Sequence, residues 1–231
     1  MASRQRVEVK WKDLRLAART GGAGYEESEV AAEDLVKKLA ARATGAEVRP
    51  IVVWFYRPDQ AKENDKLEAS VFQNETVGLA FKRFYTYRVN VDTIDREELV
   101  KRYGKTPSFR FFDPAGEPVA TLTGRRVSSL KGFTRCVEKA WGLSYDLNLK
   151  SYVKEMTKIL DRLDKVGQKK TAIERDRARL AKKPNPRKQR SLEADEAKLA
   201  KEEARITEDE GKLLDKVQLK EKFQKKPPSA E

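Results

Sequence analysis

Residues 50–56 read Pro-Ile-Val-Val-Trp-Phe-Tyr, and residues 51–56 form the longest apolar run in the chain. A strand that is covered on both faces has such a continuous run, whereas a half-buried strand alternates apolar and polar residues. We therefore predict a central strand here. The run is much shorter than the roughly 18 apolar residues of a membrane helix, so no transmembrane segment is expected.

Weaker signals on both sides of this strand predict alternating strands and helices. Alternating apolar residues predict strands at 6–12 and 85–92. Helices are predicted from the cap Ser28 to Gly45, through 68–72 and over 95–103. The turn at 113–116, Asp-Pro-Ala-Gly, predicts a hairpin of strands 108–112 and 118–123, followed by a helix that Ser128 or Ser129 caps. The predicted order is β-α-β-α-β-α-β-β-α.

From about Glu26 to Leu143, this order and two local motifs resemble the thioredoxin superfamily. Residues 71–77, Val-Phe-Gln-Asn-Glu-Thr-Val, are similar to the turn after the active-site helix of thiol-disulfide interchange proteins. Residues 105–109, Lys-Thr-Pro-Ser-Phe, match the cis-proline loop of that family. The resemblance implies an α/β thioredoxin-like fold, with a central mixed sheet flanked by helices and a cis bond between Thr106 and Pro107.

The redox motif of the family is absent at the matching position. Counting back from Phe72 places its Cys-x-x-Cys on Ala61, Lys62, Glu63 and Asn64. Thiol exchange needs an attacking thiolate and a resolving thiol, so no redox activity is expected. By resemblance, the surface around Ala61, Asn64, Thr106 and Pro107 can dock an extended peptide. The alternative is a loop that only completes the fold.

The composition excludes most familiar catalytic chemistry. The chain has no histidine and one cysteine, which removes the usual zinc sites, histidine-activated nucleophiles and an intramolecular disulfide. We expect no catalytic residue, no metal and no cofactor. Cys136 is interpreted as a buried apolar residue, with a reactive thiol as the alternative. The run Gly21-Gly22-Ala23-Gly24 lacks the preceding strand and the third glycine of a dinucleotide motif, so it is interpreted as a connector.

Apolar residues recur every seven residues from Leu149 onward, and again after the break Pro184-Asn185-Pro186. This pattern predicts an antiparallel helical hairpin with a coiled-coil seam. The register that matches apolar residues pairs Leu180 with Leu192, Ile173 with Leu199, Val166 with Ile206, and Ile159 with Leu213. It also predicts the ion pairs Arg177–Asp195 and Lys170–Glu202. The alternative is a homo-oligomer in which the helices of different chains form the coiled coil.

The turn of this hairpin is strongly basic and contains no acidic residue. Its cations are Arg179, Lys182, Lys183, Arg187, Lys188 and Arg190. Such a cluster is typical of a contact with nucleic acid, an anionic surface or an acidic protein. No aromatic residue is interleaved for base stacking, which disfavours sequence-specific binding of single strands.

The predicted organisation has four parts. A basic segment with a short strand and the connector spans 1–24, a thioredoxin-like domain 25–144, the hairpin 145–224 and a disordered tail 225–231. The first twenty residues contain no apolar core of a signal peptide, so a cytoplasmic location is expected. We predict a non-catalytic, protein-binding adaptor with a basic arm. The alternative is a non-specific nucleic-acid binder that uses the hairpin tip and the N-terminus.

Overall fold

The computed structural model describes residues 8–18, 28–29, 31–43 and 48–224. Two compact units divide them: one spans 150–218, and the other contains the described residues of 4–149 and 219–231. The predicted connector at 21–24, Gly45 and the predicted tail at 225–231 lie outside the described residues. No helix of the described residues is long and apolar enough to cross a membrane.

The larger unit is built on a mixed five-stranded sheet. In spatial order its strands are β1 (Lys12–Asp13), β5 (Tyr85–Asn90), β4 (Ile51–Tyr56), β6 (Ser108–Phe112) and β7 (Pro118–Thr123). Strands β1, β5 and β4 are parallel, whereas β6 and β7 are antiparallel to their neighbours. A second ladder joins β2 (Ala17–Ala18) to β3 (Ser28–Glu29). The apolar run therefore forms the central strand, as predicted.

The described residues of this unit form five helices. They are α1 (Ala32–Arg42), α2 (Ala61–Leu67), α3 (Glu75–Phe81), α4 (Glu97–Tyr103) and α5 (Leu130–Ser144). A wide π turn, Glu68–Phe72, continues α2, and single 3-10 turns occur at Pro58–Gln60, Val91–Thr93, Gly124–Arg126 and Glu221–Phe223. The side-chain oxygen of Asn74 accepts hydrogen bonds from the backbone of Thr76 and Val77, so the motif at 71–77 begins a helix that the sequence did not predict.

Strand β4 is buried on both faces. Ile51, Val53 and Phe55 belong to the core cluster that includes residues of α1 and α4. On the opposite face the rings of Trp54 and Phe109 stack with centroids 5.8 Å apart. Trp11, from the segment before β1, packs 5.3 Å from Trp54, which explains the apolar alternation in that segment.

One prediction about local structure was wrong, one predicted strand was too long, and two further predictions were confirmed. Ser28 does not cap α1: it lies in β3, and α1 begins at Ala32 and ends at Arg42. The strand predicted over 6–12 is only Lys12–Asp13 in the described residues. By contrast, Ser129 caps α5 as predicted by accepting from the backbone of Gly132. The Thr106–Pro107 bond is cis, as predicted.

The second unit consists mainly of two long helices, α6 (Leu149–Lys182) and α7 (Pro186–Lys216). Three cations of α6 form ion pairs with carboxylates of α7, and partners later in α6 lie earlier in α7, so the two helices are antiparallel within one chain. Its buried apolar residues include Ile159, Val166, Leu199, Ile206 and Leu213. The predicted hairpin is therefore present.

The predicted ion pairs of the hairpin were wrong by one residue. Arg177 binds Glu196 at 2.7 Å and Lys170 binds Glu203 at 2.6 Å, rather than Asp195 and Glu202. Asp195 and Glu202 share the row of the apolar seam, whereas their successors lie on its flank.

Candidate functional site

Residues 61–64, which the sequence resemblance aligns with a Cys-x-x-Cys motif, form the first turn of α2. Ala61, Lys62 and Glu63 are exposed, and Asn64 is half-buried. The Asn64 side-chain amide donates a 3.0 Å hydrogen bond to the carbonyl of Arg57, which ties the helix to the end of β4. No residue of this turn has a sulfur, so the turn has no group for thiol exchange.

The cis-proline loop lies at the same end of the sheet as this turn. Pro107 immediately precedes β6, whose first residue, Ser108, pairs with Phe55 near the end of β4. Thr106 and Pro107 are both half-buried. The fold thus places the two loops that the sequence singled out beside the ends of neighbouring strands.

Several buried polar atoms near this end of β4 lack a hydrogen-bond partner among the described protein atoms. Gln60 Oε1 and Asn64 Oδ1 are buried acceptors, and Trp54 Nε1 is a buried donor. A buried polar atom without a hydrogen bond costs about 1–3 kcal/mol. The sequence carried no signal for this feature.

Cys136 is half-buried in α5. Burial raises the pKa of its thiol, against the smaller opposite effects of Lys139 and Arg135. A raised pKa lowers the fraction of nucleophilic thiolate at neutral pH. Among the described residues, no three His, Cys, Asp or Glu side chains come together as a metal site.

The tip of the hairpin is the turn from the end of α6 to the start of α7. The helix α7 begins at Pro186, and the side-chain oxygen of Asn185 caps it by accepting from the backbone of Arg187 and Lys188, both at 3.1 Å. The structure brings the predicted basic residues together on this turn with exposed side chains. They are Arg179, Lys182, Lys183, Arg187, Lys188 and Arg190.

Arg162, Lys170 and Arg177 form ion pairs across the hairpin, whereas five of the six tip cations form none within the described residues. Farther from the turn, Arg162 binds both Glu202 and Asp209, at 2.9 Å and 2.5 Å. At the turn, Arg179 approaches a carboxylate only at 3.5 Å, that of Asp176. The other five tip cations form no ion pair with any carboxylate of the described residues. Their positive charge is therefore directed to solvent.

A small cleft opens beside the tip cations, with a volume of about 440 Å³. Apolar side chains contribute half of its lining, and they are Leu180, Ala181, Pro184 and Leu192. Leu180 and Leu192, the outermost predicted seam pair, are only half-buried. The tip thus combines exposed cations with a recess that can take an apolar side chain.

No protein-family profile and no curated protein matches the chain. One similar solved structure, described as a designed protein, is 22% identical, and the match covers 46% of this chain and 89% of that chain. Its TM-score is 0.30. At that value the likeness supports no conclusion about fold or function.

Proposed function

We propose that the protein is a non-catalytic, thioredoxin-like adaptor whose helical hairpin binds an acidic protein segment through its basic tip. The strand order β1-β5-β4-β6-β7, with two antiparallel strands at one edge and a cis-proline before β6, supports the thioredoxin-like fold. Ala61 and Asn64 at the positions of the redox cysteines support a binding role rather than thiol chemistry.

One observation carries the proposal: residues 179–190 contain six cations and no acidic residue, and five of these cations form no ion pair with a carboxylate of the described residues. Clustered like charges repel one another, so a turn selected only for folding gains nothing from this arrangement. The same cluster attracts an anionic partner from solution and speeds the encounter. The tip is therefore the surface to which we assign the binding of the partner.

The apolar recess beside the cations favours an acidic protein over nucleic acid. A phosphate backbone offers nothing that fills a recess lined by Leu180, Pro184 and Leu192, whereas a peptide with an apolar side chain does. The sequence from 174 to 196 also contains no aromatic residue on which a base can stack. Non-specific binding of duplex DNA through its phosphates is the second candidate, supported by the cations alone.

Fluorescence anisotropy with three labelled probes tests the proposal on the full-length protein. The probes are an acidic peptide with a central leucine, the same peptide with serine in its place, and a duplex DNA. The tip variant replaces Lys182, Lys183, Arg187, Lys188 and Arg190 with glutamine. A matched variant changes five exposed cations elsewhere on the hairpin, namely Lys154, Lys165, Lys169, Lys201 and Arg205.

We expect the leucine peptide to bind best, and the tip variant to weaken it at least tenfold while the matched variant does not. Helicity should be the same in all three proteins, because exposed charges contribute little to folding. Tighter binding of duplex DNA would instead establish the nucleic-acid alternative. Its salt dependence, the slope of log affinity against log salt, would then fall by about 0.9 for each DNA phosphate that the tip variant no longer neutralises. Equal weakening in both variants would show that only net charge matters.

A further inference from the structure

A second cleft lies in the larger unit, at the edge of the sheet where β5 begins. Its volume is about 420 Å³. One wall is the segment of residues 8–12, and the other comes from the end of α3 and the start of β5, with Arg49 between them. The volume lies within the range of small-molecule sites in proteins, about 300–1,000 Å³.

Hydrogen bonds hold both walls in place. The Thr86 hydroxyl donates to the carbonyl of Lys10 at 2.6 Å, which joins β5 to the outer segment. The backbone N–H of Tyr85 donates to the carbonyl of Pro50 at 2.9 Å, and Arg49 Nη1 approaches the carbonyl of Lys82 at 3.5 Å. The cleft is thus built by residues far apart in sequence and joined through the backbone.

The charge in this cleft is strongly positive. Lys10, Lys12, Arg49 and Lys82 line it, against the single carboxylate of Glu8. None of these four cations forms an ion pair with a carboxylate of the described residues. Like charges brought together without counter-charges favour the binding of an anion.

Two of these cations are positioned by an aromatic ring. The Lys12 ammonium lies 5.8 Å and the Arg49 guanidinium 5.6 Å from the centre of the Tyr85 ring, within the range of cation–π attraction. In addition, Arg49 Nε is buried and has no acceptor among the described protein atoms. The guanidinium therefore keeps donor capacity while its position is restrained.

The remaining lining is apolar and includes Val9, Phe81 and Phe84. We propose that this cleft binds a small phosphate monoester that carries an aromatic or aliphatic group. A phosphate monoester has close to two negative charges and three acceptor oxygens, which suits one guanidinium and several ammonium groups better than a carboxylate does. Its organic group packs against the apolar lining.

The test is calorimetric titration of the full-length protein with phenyl phosphate, inorganic phosphate and phenol. The titrated protein is the tip variant with five glutamines, which leaves Arg179 as the one remaining cation of the tip. Phenyl phosphate should bind with one-to-one stoichiometry, at least tenfold tighter than inorganic phosphate or phenol. Amide NMR shifts on binding should be confined to residues 8–12, 49 and 78–86.

Two variants with the same change in charge decide whether the cleft is responsible. Replacing Lys10 and Lys82 with glutamine should weaken phenyl phosphate at least tenfold, whereas replacing the exposed Lys62 and Lys131 should leave it unchanged. R49K keeps the charge but loses the guanidinium fork, and should weaken the binding of phenyl phosphate. Absence of saturable binding, or equal weakening in the two double variants, would overturn the proposal. Because five of the six tip cations are already replaced in the titrated protein, neither result tests the proposed adaptor function.

Discussion

Tyr103 donates its phenolic hydrogen to the carboxylate of Glu33 and accepts the backbone N–H of Ala32 at 2.9 Å. One hydroxyl at the end of α4 thus satisfies both the first turn of α1 and a largely buried acid. Arg110 of β6 also binds Glu33, and its guanidinium lies 4.6 Å from the centre of the Tyr103 ring. This polar cluster joins three elements of the larger unit.

Tyr103→Phe should destabilise the larger unit by about 1–3 kcal/mol. The change removes a donor to a charged acceptor and leaves the N–H of Ala32 without its partner. The ring itself is kept, so its stacking on Phe55, with centroids 4.5 Å apart, is unaffected. Urea unfolding followed by tryptophan fluorescence measures the destabilisation. Tyr87→Phe is the control, because no hydrogen bond of the Tyr87 hydroxyl occurs among the described residues, and an equal effect in both variants would contradict the assigned role.

The same cluster predicts a dependence of stability on alkaline pH. Burial and the hydrogen bond to Glu33 raise the pKa of Tyr103 to about 12. A folded-state pKa above the ordinary value of 10.0 means that the stabilisation is complete below pH 10 and is lost as the pH rises from 10 to 12. Urea midpoints measured across this window should fall more steeply in the parent protein than in Tyr103→Phe. Parallel curves would show that Tyr103 titrates normally.

Glu33 should make the stability of the larger unit depend on acidic pH. Burial opposes its ionisation, but the hydrogen bond from Tyr103, a backbone hydrogen bond and the charges of Arg110 and Arg102 together hold its pKa below the ordinary value of 4.5. Its contribution to stability is therefore present above pH 4.5 and is lost as the pH falls through the lowered pKa. In Glu33→Gln, the urea midpoint should no longer show the fall at acidic pH that Glu33 causes in the parent protein. If the urea midpoint of that variant fell at acidic pH as steeply as that of the parent protein, the prediction would be wrong.

Charge exchange tests the register of the hairpin. Arg177→Glu should destabilise the helices by about 0.5–1 kcal/mol, because it places a second carboxylate beside Glu196. Adding Glu196→Arg should restore stability, whereas adding Asp195→Arg should not, since Asp195 faces Lys198 at 3.2 Å. Circular dichroism during urea unfolding measures all three proteins. Rescue by Asp195→Arg alone would support the register predicted from the sequence.

The protein should fail to reduce insulin disulfides with dithiothreitol as the electron source. The resemblance proposed above aligns Ala61 and Asn64 with redox cysteines, and burial raises the pKa of the chain's one thiol, at Cys136. Insulin should precipitate at the same rate with this protein as with dithiothreitol alone. If Cys136→Ser still reduced insulin, the reducing group would lie elsewhere, and the alignment of residues 61–64 with Cys-x-x-Cys would be rejected. If Cys136→Ser abolished the reduction, Cys136 would be the active thiol.

Local patterns determined much of this fold because their physical causes lie within a few residues. The apolar run Ile51–Tyr56 must be covered on both faces, so it predicts a central strand wherever its partners come from. The turn at 113–116 is made by its own atoms, with Asp113 accepting from the backbone of Ala115 and Glu117. Pro184-Asn185-Pro186 likewise ends one helix and begins the next without distant help. The basic tip follows directly from that break.

Tertiary structure decided the features whose partners are remote in sequence. In the first turn of α1 the N–H of Ala32 donates to the hydroxyl of Tyr103, 71 residues away, and the local cap predicted at Ser28 was wrong. The packing of the two hairpin helices decided that Arg177 and Lys170 bind Glu196 and Glu203, which periodicity alone does not reveal. The cationic cleft joins residues 8–12, Arg49 and the segment 78–86, which become neighbours only when β1 and β4 pair with β5.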